Sequence, residues 1–491
     1  MNKNDIYYYI NHFINYSIDK ELIAIDDAIY IYNRLLTVLK INSFPQEFHQ
    51  INNDLDIDEI LDGLVNYAID NHIIEDYNYQ KDLFDTFLMD IVTPFPSTIV
   101  NKFFENYRIN PTKATDYFYK LMIDCNYIRM NRINKNIILN GNSKYGNLII
   151  TINLSKPEKD PKEIAKLKLA EQNKVFSYPK CLLCYENVGF GGNERLQARN
   201  NLRVIPLKLN NEQFYFQYSP YVYYDEHCIV FKKEHQAMKI DENTFYRMFD
   251  FVEMFPDYFI GSNADLPIVG GSILVHEHYQ GGRFLFPIDN ATIRYQKKIN
   301  DVMVNYLNWP LDCLQLVSSN KIEIIKLANK VLKKWQEYNK PTIKIFSESD
   351  GQFHNTITPI LRKNNEKYIL NIVLRNNYTS IDKPYGLFHP DETLHHIKKE
   401  NIGLIEVMGL AILPGRLKEE LKILQEILNN VRSENDLSLI ENHKTWYFYL
   451  KKKKNLDLKE ELIKKYEEVL ESCQVFKYGT TQDIIDFINL L

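Results

Sequence analysis

The spacing of hydrophobic residues changes character twice along the chain, and each change marks a change of expected structure. Behind Asp26-Asp27, residues Ala28, Ile31, Leu35 and Val38 recur at intervals of three and four, and the rhythm returns at Ile57, Ile60, Leu61, Leu64 and Ala68. Such intervals place apolar side chains on one helix face. Asp56, followed three positions later by Glu59, has the form of a capping box, so a helix is expected to open there. Residues 1–140 therefore read as a helical region that carries no catalytic constellation.

From about Tyr145 the texture turns to short β-like runs at 147–152, 213–218 and 227–231, punctuated by Gly, Pro and Asn. A helix starting near Asp241-Glu242, with Phe245, Met248, Phe249 and Val252 inward, is expected before a further strand over 273–280. A second mixed region, about 300–415, has expected strands at 342–346, 368–374 and 404–408, with turns at Ser349-Asp350-Gly351 and Lys383-Pro384-Tyr385-Gly386. The chain ends in helix, with Leu417, Leu421, Leu424 and Leu428 on one face. Helices interposed in sheet without regular βαβ alternation argue for an α+β fold. The expected division is 1–140, 141–299 and 300–491.

Composition narrows the function classes. A net charge of −5 over 491 residues offers no basic surface for nucleic acid, and the one dense basic run, 451–454, reads as a solvated face. No stretch approaches the roughly 18 uninterrupted apolar residues of a membrane span. The start, Met1-Asn2-Lys3-Asn4-Asp5, lacks the parts of a secretory signal, so a cytoplasmic protein is expected. The 6 cysteines form no disulfide framework, and Cys125, Cys228, Cys313 and Cys473 read as small buried hydrophobes.

The chemistry concentrates in residues 270–282, Gly-Gly-Ser-Ile-Leu-Val-His-Glu-His-Tyr-Gln-Gly-Gly. A strand there puts His276, His278 and Gln280 on one face. Gly270, Gly271, Gly281 and Gly282 could take positive φ and turn N–H groups toward an anion. Neutral imidazole is a nucleophile toward phosphorus, while Gln280, with no titratable proton, can steady a phosphate oxygen without acting as an acid. Two histidines on a half-buried strand also occur as hydrogen-bonded core or metal ligands. Cys181 and Cys184 have the spacing of a zinc half-site, which His235 and His276 could complete; the other reading is a reduced, metal-free pair. His354, His389, His395 and His396, with Arg362, Arg375 and Arg416, are less specific candidates for sugar-phosphate contact or, for the arginines, ordinary salt bridges.

Five stretches, 147–162, 178–184, 216–231, 270–282 and 401–417, together resemble the galactose-1-phosphate uridylyltransferase family, in its bacterial class II branch within the histidine-triad superfamily. The resemblance spans nearly the whole chain. It implies two related α+β halves with antiparallel sheets, a homodimer, and exchange of UMP between UDP-glucose and galactose 1-phosphate through a uridylyl group on His278, with Gln280 on the phosphate. It further implies a structural zinc on Cys181, Cys184, His235 and His276, and no organic cofactor. Class I members read His-Pro-His-Gly-Gln where Glu277 and Tyr279 intervene here, on the opposite strand face. By proximity to the motifs, Arg199, Asn200 and Asn263 are candidates for substrate contact, with Gly270, Gly271 and Ser272 beside the phosphate. The rival readings are a nucleotidyl phosphorylase or hydrolase of the same superfamily, and a UDP-sugar-binding protein without turnover.

Overall fold

Helices fill the amino-terminal region as the apolar spacing requires. The structure is a computed structural model and describes residues 5–44, 55–155, 178–193 and 196–491. Helices run over Ile6–Asp19, Ala28–Val38, Ile57–Asp70, Asn78–Val92, Pro96–Ile109 and Pro111–Asp124. The Asp56 carboxylate accepts from the Glu59 N–H at 2.9 Å while Glu59 accepts from the Asp56 N–H at 3.2 Å, the expected reciprocal cap. No single helix among the described residues is long and apolar enough to cross a membrane, although Asn78–Val92 and Pro96–Ile109 would pass as a pair bent by 63°.

Among the described residues fifteen strands follow: β1 (Ile137–Ser143), β2 (Gly146–Asn153), β3 (Ile205–Leu209), β4 (Glu212–Tyr218), β5 (Cys228–Lys232), β6 (Phe259–Gly261), β7 (His278–Gly282), β8 (Ile293–Ile299), β9 (Val302–Leu307), β10 (Cys313–Ser318), β11 (Glu348–Ser349), β12 (Gln352–Phe353), β13 (Asn355–Asn364), β14 (Lys367–Asn376) and β15 (Leu410–Pro414). Ten of them form one antiparallel sheet in the order β3-β4-β5-β7-β6-β13-β14-β10-β9-β8. The order is the same in both halves when traced outward from the middle. Three meandering strands, a helix and two more strands make each half: β3 to β5, helix Glu242–Met254, β6 and β7, then β8 to β10, helix Lys321–Gln336, β13 and β14. The halves meet edge to edge where Gly261 pairs Ile360, Ile260 pairs Leu361 and Phe259 pairs Arg362. The α+β class and the paired antiparallel halves are therefore as the sequence implied.

Period-2 alternation sorts the two faces of this sheet into two cores. Ile260, Leu361, Leu370, Ile372, Leu314 and Leu316 join Phe245, Met248, Phe249 and Val252 of the first helix and Ile324 and Leu332 of the second. Phe259, Ile360, Val373 and Cys313 face the other way, into a core shared with β2 and β15. Those two strands pair in parallel within a smaller three-stranded sheet, β1-β2-β15.

Two expected strands are absent. Residues 342–346 form a 3-10 turn, Pro341–Ile343, ended by Lys344 in the left-handed region at φ 62°, because proline favours a turn start and offers no strand N–H. Residues 404–408 contain the short helix Leu404–Val407, buried along its length, with Glu406 accepting from the Gly403 N–H at 3.0 Å. A short apolar run buried on all sides does not distinguish helix from strand. Residues 156–162 of the first family-like stretch lie outside the described residues.

Candidate active site and metal centre

Strand β7 begins only at His278, which corrects the strand expected over 273–280. The Glu277 carbonyl still accepts from the Lys232 N–H of β5 at 3.0 Å, but the rest of the preceding backbone turns to a loop: the Glu277 N–H donates to the Gln236 carbonyl at 2.7 Å and the Met238 N–H to that of Leu274 at 2.8 Å. His276 therefore lies just before the strand and not on it. Within β7, His278 and Gln280 alternate with Tyr279, whose ring enters the helix-side core. Gln280 pairs Gly261 and shares its face, the one opposite the helices.

The paired glycines act differently from the expectation. None of Gly270, Gly271, Gly281 and Gly282 has positive φ. They are needed for close approach: a Cβ at Gly270 would stand 2.5 Å from the Ala264 carbonyl oxygen, and one at Gly281 2.6 Å from that of Phe259. Ser272 is exposed.

His278 is buried, and its Nδ1 lies 2.8 Å from the His276 carbonyl oxygen. A carbonyl only accepts, so the ring proton is on Nδ1 and the lone pair on Nε2. Nε2 makes no hydrogen bond to any described residue. Burial pushes this imidazole down to about 4, which keeps it neutral. Beside it, the Gln280 Oε1 lies 3.0 Å from the Nε2 of His227. His227 is likewise buried and pushed down by burial to about 4. Sequence reasoning passed over this histidine, which lies within the 216–231 stretch but outside any histidine motif.

Cys181, Cys184, His235 and His276 converge, with their donor atoms all within 4.8 Å of one another. The Cys181 and Cys184 sulfurs are 3.6 Å apart, the His276 Nδ1 is 3.2 Å from Cys181, and the His235 Nδ1 is 3.1 Å from Cys184. Donors around a tetrahedral ion at thiolate and imidazole bond lengths stand about 3.3–3.8 Å apart, so this set fits such an ion. His276 is prepared for it: its Nε2 donates to the Lys232 carbonyl at 2.7 Å, leaving Nδ1 as the bare donor toward the sulfurs. Burial pushes the Cys181 thiol up to about 12, a state that a metal ion would reverse.

Behind the strand, Glu277 anchors a buried ion network. Arg247 binds Glu277 and, at 2.5 Å, Glu212; Lys232 reaches Glu212 at 2.6 Å. Glu277→Ala is expected to lower stability by about 3 kcal/mol, because Arg247 then stays buried with one carboxylate lost. Urea unfolding measures this, and a change under about 1 kcal/mol would show the network to be dispensable.

The other candidates are dispersed. Arg199 and Asn200 are buried, with the Arg199 Nε and the Asn200 Oδ1 lacking hydrogen-bond partners among the described residues. Arg199 lines a cleft of about 1170 Å³ whose wall includes Asn201, Tyr221, Tyr223 and Lys398. His278 and Gln280 are not in that wall, but Tyr223 stacks on His227 at 5.6 Å. Asn263 accepts from the Leu404 N–H at 2.8 Å. Arg362 pairs with Asp289 at 2.8 Å and Arg416 with Glu420 at 2.5 Å, ordinary salt bridges, while Arg375 is buried and donates to the Ile402 carbonyl at 2.9 Å. His354 bonds Ser349 and Asn377, His389 and His395 the Pro390 carbonyl, and His396 the ring of His443, so none of the four joins the β7 site.

Residues 21–237 match the family model for the galactose-1-phosphate uridyl transferase N-terminal domain, and residues 251–447 that for its C-terminal domain. The galactose-1-phosphate uridylyltransferase of Clostridium acetobutylicum is 46% identical over 98% of this chain and 100% of its own, and that of Clostridium perfringens strain 13 is 47% identical over 95% of each. The Lactococcus lactis subsp. lactis protein is 44% identical over 99% of both. Among solved structures, yeast Ap4A phosphorylase with Ap4A aligns at a TM-score of 0.34 and 11% identity, over 67% of this chain and 92% of that one. The family models and the curated relatives define a nucleotidyltransferase. More narrowly, the chain belongs to the galactose-1-phosphate uridylyltransferase family, whose activity implies UDP-sugar and sugar-phosphate substrates.

Proposed function

We propose that the chain exchanges UMP between UDP-glucose and galactose 1-phosphate by two displacements at His278, in galactose breakdown. The observation that carries this is the buried neutral imidazole of His278, proton on Nδ1 and lone pair on Nε2, two residues along the strand from the amide of Gln280 on the same face. In the first step Nε2 forms a bond to the uridylyl phosphorus and the bond to glucose 1-phosphate breaks. The leaving group departs as a phosphate anion and needs no proton. In the second, a phosphate oxygen of galactose 1-phosphate attacks the same phosphorus and the N–P bond breaks, returning neutral His278. Gln280 donates an amide N–H to a non-bridging oxygen in both steps, where charge accumulates.

The Arg199 Nε and Asn200 Oδ1, buried without hydrogen-bond partners among the described residues, support substrate contact, Arg199 from the cleft wall, and Asn263, Gly270, Gly271 and Ser272 are proposed for their nearness to the motif. Zinc is the ion proposed for Cys181, Cys184, His235 and His276, since two thiols and two imidazoles suit it. Its role is to hold His276, and so the carbonyl that orients His278. The cysteines are all free thiols, which supports a reducing, cytoplasmic setting. The family resemblance supports a homodimer, and the change in hydrophobic spacing a division near residue 140, with the second half opening at β8.

Incubation with UDP-glucose labelled in the uridine ring tests the proposal. Stoichiometric, acid-labile label on His278 is expected, stable until galactose 1-phosphate is added. Equal discharge to water or inorganic phosphate would indicate a hydrolase or phosphorylase, and tight UDP-glucose binding with no adduct would indicate a binding protein.

A further inference from the structure

The geometry points to His227 as a positioning residue for Gln280, holding the amide in the one of its two orientations that presents N–H groups to phosphate. This rests on the reading of Gln280 as a phosphate donor. The oxygen and nitrogen ends of a glutamine amide are nearly equal in size, so packing alone does not choose between them. A choice is essential here. The flipped amide would aim its carbonyl oxygen at a phosphate oxygen, turning an attraction into a repulsion.

The strand neighbours of Gln280 leave the choice open, since Gly261 and Ile229, its partners across β6 and β5, have no side-chain hydrogen-bonding group. His227 supplies it. With Oε1 at 3.0 Å, the His227 Nε2 must carry the proton and donate, which turns the Gln280 NH2 group away from the ring. The same tautomer leaves the His227 Nδ1 bare, buried and without a partner among the described residues. An unsatisfied buried acceptor is unfavourable, and a histidine retained on such terms has its proton where Gln280 needs it.

The ring itself is held on both sides. Tyr224 packs against it at 4.5 Å and Tyr223, from the cleft wall, at 5.6 Å. Its backbone N–H donates to the Tyr224 carbonyl at 3.1 Å and its carbonyl accepts from the Ser219 N–H at 2.8 Å. The turn that delivers it contains Val222 at φ 38° and Glu226 at φ 54°, left-handed positions that a β-branched residue and a glutamate rarely occupy.

A double-mutant cycle tests the assignment. In single-turnover uridylylation, His227→Phe is expected to slow the step about tenfold to a hundredfold, part of what loss of one such donor removes. The KM for UDP-glucose should move less than about threefold, since the substrate-binding surfaces are untouched. In a Gln280→Ala background the same substitution should matter less than about twofold, which a merely structural histidine would not show. His227→Gln, whose amide N–H can still donate, should recover part of the rate. If His227→Phe does not fold, His227→Asn, too short to reach Oε1, reads the same cycle. Parental rates in His227→Phe, or losses that multiply with Gln280→Ala, would overturn the assignment. Absence of any uridylyl adduct on the parental protein would instead overturn the function it rests on.

Discussion

Replacement of His278 by Asn is expected to reduce uridylyl exchange by ~10⁴-fold or more, because the nitrogen proposed to bond phosphorus is lost. Asparagine can still donate to the His276 carbonyl, the bond that His278 makes at 2.8 Å, so the fold should persist with a stability change of about 1–2 kcal/mol at most. Two measurements separate these effects: the exchange rate with both sugar phosphates present, and a melting curve. The variant should also take up no label from UDP-glucose alone. Exchange near the parental rate would remove His278 from the chemistry altogether. The expectation is steep because binding and the Gln280 donor cannot replace a covalent step, and removing a nucleophile generally leaves only such residual help.

The second large effect concerns the metal centre. Protein purified without chelator should hold about one equivalent of zinc, and Cys184→Ser should lower this below about a tenth. The expected consequence for stability is a fall in melting temperature on the order of 5 °C, the loss of a local constraint in a large protein. Activity should fall as well, although no step of the exchange passes through the ion. The reason is geometric. His276 offers Nδ1 to the cysteines while its own carbonyl oxygen, two residues from the nucleophile, receives the His278 Nδ1–H. Freeing His276 therefore frees the atom that sets the tautomer of His278. Metal content measured by elemental analysis, with the activity of the same samples, checks this. A zinc-free parental protein with full activity would dissociate the centre from the site.

How far the site was legible depended on whether its parts were local. Cys181-Leu182-Leu183-Cys184 and the His-x-His-x-Gln run are contiguous, so their chemistry could be read from residue type and spacing. The pairing of His276 with Cys181 spans 95 positions. Its expectation came from chemistry and from the resemblance, and the donor separations now support it. Other readings failed for identifiable reasons. Lacking Cβ, the glycines around the motif read as anion-turning residues, but their neighbours are carbonyl oxygens only 2.5 to 2.6 Å from where a Cβ would sit at Gly270 and Gly281. Those oxygens belong to Ala264 and Phe259, which only the folded path of the chain brings against the glycines. His227 had no motif around it, and only pairing between β5 and β7 brings it to Gln280.

The amino-acid sequence by itself determined the helical ends, the capping box at Asp56, most strands, the α+β class and the placing of His278 and Gln280 on one strand face, since each depends on side chains within a few positions of one another. Tertiary structure alone decided that two like-wound halves join at β6 and β13 into one sheet, that His276 leaves the strand it was expected to share, and which tautomers His276, His278 and His227 adopt. Those outcomes are set by the hydrogen-bond partner each group finds across the fold, and local periodicity contains no information about a partner fifty or a hundred residues away.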